Sequence, residues 1–180
     1  MGHGHLLCAP DKGHLLAALH RAEKLLPEFL DDDEEWNSLD VNYEPPRVER
    51  LWREFEEGFR VCLHRIHPCE KALFHPHPWP SAIKIVSGLY EMGIGYGVGK
   101  EDPPEVATVV LAAGSYYEMV EPNGWHYVRP LAEPSLSVMV TGLPWDLRHP
   151  GEKNPDGKLG PLNDKDSDKL LDEFRKRYWK

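Results

Sequence analysis

Between Phe59 and Thr141 the chain is a succession of short alternating segments cut by glycine, proline and asparagine turns, and no other feature restricts its fold as strongly. Strand side chains point alternately to two faces, so such segments must be laid side by side with one face on a core. Phe59–Ile66 places Val61, Leu63 and Arg65 on one face and Arg60, Cys62, His64 and Ile66 on the other. Residues 82–87 and 89–95 read as strands about a turn at Gly88, and 106–111 as a β-branched strand before the turn Ala113-Gly114-Ser115. Residues 116–120 run into the hairpin signal Glu121-Pro122-Asn123-Gly124, then 125–129, and Ser135–Thr141 alternates as a half-buried strand. Strands of this length and spacing predict an all-β barrel or double-sheet sandwich. The alternating Gly93, Gly95 and Gly97 do not read as a phosphate loop, because no helix signal follows them.

Helices are expected only at the ends. Leu15, Leu16, Leu19, Leu25, Leu26 and Phe29 recur at helical intervals over 11–30, with Asp11 as a cap and a kink or break near Pro27. Val48, Leu51, Trp52 and Phe55 read as a second short helix, and Leu170, Leu171, Phe174 and Tyr178 as a closing one over 168–178 after a loop at 147–166. The expected division is a helical segment at 1–58, the β barrel at 59–146 and a loop and helix at 147–180, all in one domain. For a chain of 180 residues with 41% hydrophobic content one core is expected. Its net charge of -9, from 21 basic and 30 acidic residues, disfavours nucleic acid and anionic membrane and makes a small molecule the better partner. No apolar run of membrane-spanning length occurs, and the amino terminus lacks signal-peptide order, so a cytoplasmic location is expected. Cys8, Cys62 and Cys69 lack zinc-type spacing and read as thiols.

Chemistry concentrates in Phe74-His75-Pro76-His77-Pro78-Trp79 and in Trp125-His126-Tyr127-Val128. Histidines one residue apart on an extended segment point the same way, and the flanking prolines hold that segment extended. His126, on a separate strand, completes three nitrogens around one ion if the sheet curls those strands together.

His75-x-His77, the apolar strand into Gly88, the Ala113-Gly114 turn and a later strand with one more histidine resemble the cupin jelly roll over 59–145. That resemblance implies a cupin-type jelly-roll barrel. The glutamate and histidine that cupins usually add as ligands fall on Ser81 and Tyr117. His126-Tyr127-Val128 followed by Pro134-Ser135-Leu136-Ser137-Val138 is similar to the cysteine dioxygenase type of thiol dioxygenase, which binds iron through three histidines without a carboxylate. By that likeness His75, His77 and His126 are the ligands and Ser137 matches a relay serine, whose histidine and tyrosine partners fall on Met139 and Thr141.

Three neutral imidazoles leave a divalent ion with open positions for an anionic ligand and O2 together. Fe(II) is the natural occupant, with Ni, Mn, Cu or Zn also accepting imidazole. The function expected is a mononuclear non-haem iron dioxygenase or oxygenase acting on a small acidic or thiol-containing metabolite. Arg60 or Arg65 would steer the anion, His64 and His67 lie on the same cavity-lining stretch, Trp79 and Trp125 would line the pocket, and Tyr117 would hydrogen-bond a reacting oxygen. A non-catalytic metal- or metabolite-binding cupin, or a cupin isomerase or hydrolase, is the alternative. A homodimer through sheet edges is expected.

Overall fold

The computed structural model describes residues 14–98, 102–145 and 159–179. The expected cap at Asp11, Cys8 and residues 147–158 of the expected loop lie outside them. Helix α1 (His14–Asp31) precedes ten strands: β1 (Asn37–Val41), β2 (Val48–Glu56), β3 (Phe59–Ile66), β4 (His75–Pro76), β5 (Ser81–Ser87), β6 (Leu89–Tyr96), β7 (Glu105–Ala112), β8 (Tyr116–Met119), β9 (Gly124–Pro130) and β10 (Ser135–Thr141); α2 (Asp164–Tyr178) follows. One sheet has the order β1-β2-β3-β10-β5-β8 and the other β4-β9-β6-β7. The eight strands from β3 to β10 therefore divide as the two four-stranded halves of a jelly roll, with β1 and β2 added to one edge. The jelly roll read from the sequence is present, as two facing antiparallel sheets.

Alternation along the strands sorts residues between two cores. On the outer face of the larger sheet, Leu51, Val61, Leu63, Ala82, Leu136, Val138 and Val140 pack under α1 and α2. The helices answer with Ala18, Leu19, Ala22, Leu26 and Leu30 from α1 and Leu170, Leu171 and Phe174 from α2. Burying one such side chain stabilises the fold by about 1.5–3 kcal/mol. On the inner face, Cys62, Ile83 and Met139 form one small cluster and Ile66, Ile85, Tyr90, Met92 and Val128 another.

Three expectations about the ends are corrected. Helix α1 runs unbroken through Pro27 to Asp31, because Leu26 and Leu30 are fully buried and their packing holds the last turn despite the amide that proline lacks. The segment read as a second helix is strand β2: Leu51 and Phe55 face the helices while Val48 and Trp52 face inward. A strand covered on both sides carries apolar residues on both faces, and here that spacing imitates a helical period. Helix α2 begins at Asp164, earlier than its apolar pattern, because the Asn163 side chain accepts from the Asp166 amide at 2.9 Å and caps it. Among the described residues no helix is long and apolar enough to cross a membrane.

Candidate metal centre

Strand β4 is only two residues long and forms one edge of its sheet. Its partner is β9, with His75 abreast of His126 and Pro76 abreast of Trp125. Along β9 the alternation turns His126 and Val128 inward and Trp125 and Tyr127 outward. On that outer face the Phe74 ring lies 5.8 Å from Trp125 and 6.2 Å from Tyr127. Room for this clamp comes from β6: a Cβ on Gly95 would stand 2.5 Å from the Phe74 ring, and one on Gly93 would stand 2.0 Å from Tyr127. The alternating glycines of β6 are thus the floor under an aromatic clamp, and the clamp sets the two histidine-bearing segments side by side.

His75, His77 and His126 come together, each offering a ligand nitrogen, with the three nitrogens within 4.8 Å of one another. Ring centroids are 5.6 Å apart for His75 and His77, 4.9 Å for His75 and His126, and 4.6 Å for His77 and His126. Nδ1 of His75 lies 3.0 Å from the Leu73 carbonyl oxygen, which only accepts, so the neutral ring carries its proton there and leaves Nε2 as a lone pair. Nδ1 of His77 is 2.7 Å from Oγ of Ser81, the residue at the position where cupins usually carry a glutamate. Ser81 therefore orients the His77 ring. Nε2 of His77 and Nε2 of His126 are 2.9 Å apart. Two nitrogens each about 2.1 Å from one ion and at right angles around it would be about 3.0 Å apart, so the donors fit one edge of a facial site.

His126 is 4% exposed, and burial first, then the neighbouring His77 and His75, hold its pKa well below the usual histidine range. A neutral imidazole is the form that ligates. Among the described residues its Nδ1 has no hydrogen-bond partner. Tyr117 stands beside this cluster, its ring centroid 6.1 Å from that of His126. The Tyr90 hydroxyl donates to the Tyr117 hydroxyl at 3.1 Å, and burial pushes the Tyr117 phenol up to about 12. Tyr117 is thus a neutral phenol that retains its own proton to donate.

The other residues singled out in the sequence separate. Trp79 has a buried indole nitrogen without a hydrogen-bond partner among the described residues. Trp125 is not a lining residue: alternation puts it on the face opposite His126, where its indole donates to the Gly97 carbonyl at 3.3 Å. Arg65 is not a substrate anchor either. It is 3% exposed on the helix side of β3, paired with Glu49 and, at 3.1 Å, with Glu173 of α2. Nε2 of His67 lies within hydrogen-bond distance of the same Glu49, at 3.0 Å. Arg60 shares the inner-face parity of Cys62 but is half exposed, stacks on Trp52 at 4.6 Å and pairs with Glu54 at 3.2 Å. Cys62 and Cys69 are free thiols.

Sequence reasoning missed Arg50. Read as part of a helix, it had no face; on strand β2 it lies between Val48 and Trp52 on the inward side. Its Nε donates to Nε2 of His64 at 2.8 Å, and Nδ1 of His64 lies 3.5 Å from Oγ of Ser137. Burial, then the Arg50 charge, hold His64 well below its ordinary pKa. The neighbour that Ser137 finds is thus a histidine from the adjacent strand, while Met139 and Thr141 occupy the positions two and four residues on.

No protein-family model matches the chain, and no curated protein matches it. Solved structures with a related fold include hydroxypropylphosphonic acid epoxidase from S. wedmorenis, at 14% identity and a TM-score of 0.47 over 61% of this chain and 56% of that one. KdgF from Halomonas sp. is 16% identical with a TM-score of 0.45, over 64% of this chain and 94% of that one. An RmlC-like cupin from Shewanella frigidimarina NCIMB 400 is 13% identical with a TM-score of 0.45, over 63% and 88%. The chain spans a little over half the length of the epoxidase.

Proposed function

We propose that the protein is a mononuclear metal-dependent enzyme, a non-haem iron oxygenase or dioxygenase acting on a small acidic or thiol-containing metabolite. The observation that carries this reading is the convergence of His75, His77 and His126, drawn from two separate segments, with two Nε2 atoms 2.9 Å apart on the inner face of the jelly roll. These three imidazoles would hold one divalent ion, Fe(II) in this reading, with His75 and His77 fixed by the Leu73 carbonyl and Ser81. Such an ion, bound by neutral ligands alone, supplies Lewis acidity toward an anionic ligand and redox chemistry toward O2.

The chain's own groups do the rest. The inner-face side chains Cys62, Ile83 and Met139 pack with Trp52 and Tyr117 and would lower the local dielectric on the side of the centre that Tyr117 occupies. Tyr117, neutral and accepting from Tyr90, would in this reading donate its proton toward a reacting oxygen. In this reading a cysteine dioxygenase-type chemistry would be supported by three histidines without a carboxylate and by Ser137 facing the same interior.

The test is anaerobic loading with Fe(II) followed by oxygen-uptake measurements across small thiols and carboxylates. Uptake that depends on one such compound and is lost in His77→Ala is the expected result. A loaded protein that consumes no oxygen with any of them rejects the oxygenase reading in favour of a binding role.

A further inference from the structure

We propose that two copies of this chain pair through strand β7, edge to edge and antiparallel about Val109, so that their two smaller sheets join into one. The pairing does not depend on the metal-centre reading, and it gives the homodimer expected from the sequence a surface and a register.

The two sheets have four edge strands, and three of these edges are covered or short. On β1 the Asp40 amide donates to the Gly160 carbonyl at 2.9 Å and Oγ of Ser38 accepts from the Leu162 amide at 3.1 Å, so the segment before α2 lies along that edge. Strand β8 has four residues, and its Glu118 accepts from the Leu16 amide of α1 at 3.0 Å. Strand β4 has two residues, one of them a proline. Strand β7 has eight, all exposed or half-exposed, and residues 106–112 include neither a charge nor a proline. A bulge at Val106 leaves residues 107–112 as its flat part. Long uncharged edges offer amides and carbonyls to any strand that can pair with them, and proteins that keep such edges open usually place lysine or proline there. Apolar surface collects at the same margin. Of the nine large apolar side chains left exposed among the described residues, five belong to the β6–β7 hairpin: Leu89, Tyr96, Val98, Val106 and Val110.

The ladder with β6 determines which main-chain groups are free. The Ala113 amide donates to the Gly88 carbonyl at 3.2 Å, and Ala112 lies opposite Leu89. Bonded and non-bonded pairs alternate along an antiparallel ladder, so Leu111, Val109 and Ala107 bond to β6, while Ala112, Val110 and Thr108 turn N–H and C=O to the open side. Ala112 is already engaged: its amide donates to Oγ of Ser115 at 3.2 Å and its carbonyl accepts from the Ser115 amide at 2.9 Å. Thr108 and Val110 are left with four main-chain groups that have no partner among the described residues. A second β7 centred on Val109 sets Thr108 opposite Val110 of the other copy and Val110 opposite its Thr108, and each pair exchanges two bonds. That register satisfies all four groups in both copies. Charge agrees with a second copy as the occupant. In a chain of net charge -9 residues 106–112 carry none, and the pairing holds the two Glu105 side chains eight residues apart along the strands, about 27 Å, beyond a screening length of about 8–10 Å. Five strand spacings, about 24 Å, then separate the two β9 strands, so each histidine cluster keeps its own surroundings.

The test is sedimentation velocity of the full chain over about a hundredfold range of micromolar concentration, since four main-chain bonds and a few valines make a small interface that dissociates on dilution. A monomer–dimer equilibrium is expected, with hydrogen exchange at the Thr108 and Val110 amides slowed in proportion to the dimer present. Val110→Lys, at a side chain 58% exposed, should weaken dimerisation about 10-fold or more and leave the melting temperature of the dilute protein unchanged. Val110→Pro removes an amide that points away from β6 and should act in the same direction. Adding Thr108→Glu to Val110→Lys sets opposite charges abreast across the two-fold axis and should restore the dimer, a gain that misfolding cannot produce. The proposal is overturned by a wild type that stays monomeric over the whole range, by association that continues beyond the dimer, by a dimer that survives in folded Val110→Lys, or by its failure to return in the folded double variant. Slow exchange at Thr108 and Val110 in a monomeric wild type would show another part of the chain covering the edge, and overturns it equally.

Discussion

The two faces of the larger sheet are made by the same strands and differ in almost everything else. Outward-pointing Val61, Leu63, Val138 and Val140 are fully buried aliphatics under two helices. Their neighbours one residue along, Cys62, His64, Ser137 and Met139, point inward and bring a thiol, an imidazole, a hydroxyl and a thioether to the side that faces the histidines. The outer face resembles any packed core and carries the cost of folding. The inner face gives up aliphatic packing for polar groups, so it is the face on which substitution should change chemistry more than stability. Charged groups follow the same division: Arg65 outside is tied to Glu49 and Glu173, and Arg50 inside is tied to a neutral ring.

The largest effect is expected on the outside. Arg65→Ala leaves Glu49 buried without its closest partner and should cost about 3–5 kcal/mol of unfolding free energy, read by urea denaturation. Metal content should not change; a loss of metal with unchanged stability would erase the distinction between the faces. Leu26→Ala in α1, emptying a fully buried site, should cost about 2–5 kcal/mol with the same indifference of the metal centre.

Inside, Ser81→Ala removes the group that holds Nδ1 of His77 and should weaken metal affinity by about 10- to 100-fold, measured by competition with a chelator. The melting temperature of the metal-free protein should move little by comparison. An unchanged affinity would show that Ser81 does not orient the ligand.

The smallest effect is in pH. His64 has a folded pKa held below its unfolded value of about 6.5, so above that pH neither state takes the proton and the full stability is present. As pH falls below about 6.5 the unfolded chain is protonated first, and stability drops by up to about 1.4 kcal/mol per pH unit until the folded pKa is reached. Denaturation at pH 7.5 and 5.5 should show a shallower loss in His64→Gln than in the wild type. Equal slopes would mean that His64 is not held neutral.

The jelly-roll strands were legible because glycine, proline and asparagine mark their turns and period-two alternation marks their faces; Phe59–Ile66 was read with the correct residues on each side. The convergence of the three histidines was legible for a related reason, since two histidines one apart on an extended segment have little choice of direction. Strand β2 was not, because a strand covered on both sides loses the alternation that identifies strands. Arg50 was lost with it, since a residue assigned to the wrong element has no face to argue from. Trp125 was misplaced although its own neighbour supplied the correction: adjacent residues on a strand cannot both point inward, and His126 already did. The aromatic clamp over Gly93 and Gly95 is a cross-strand contact, and nothing local to β6 announces which rings those glycines admit.

The measurement closest to the central claim is the metal content of purified protein after equilibration with Fe(II) under anaerobic conditions, beside His75→Ala, His77→Ala and His126→Ala. One ion per chain in the wild type, with affinity lost in each of the three variants while their helical content and melting behaviour stay near wild type, is the result this account requires. A wild type that retains no ion, or three variants that retain it as well as the wild type does, would contradict it.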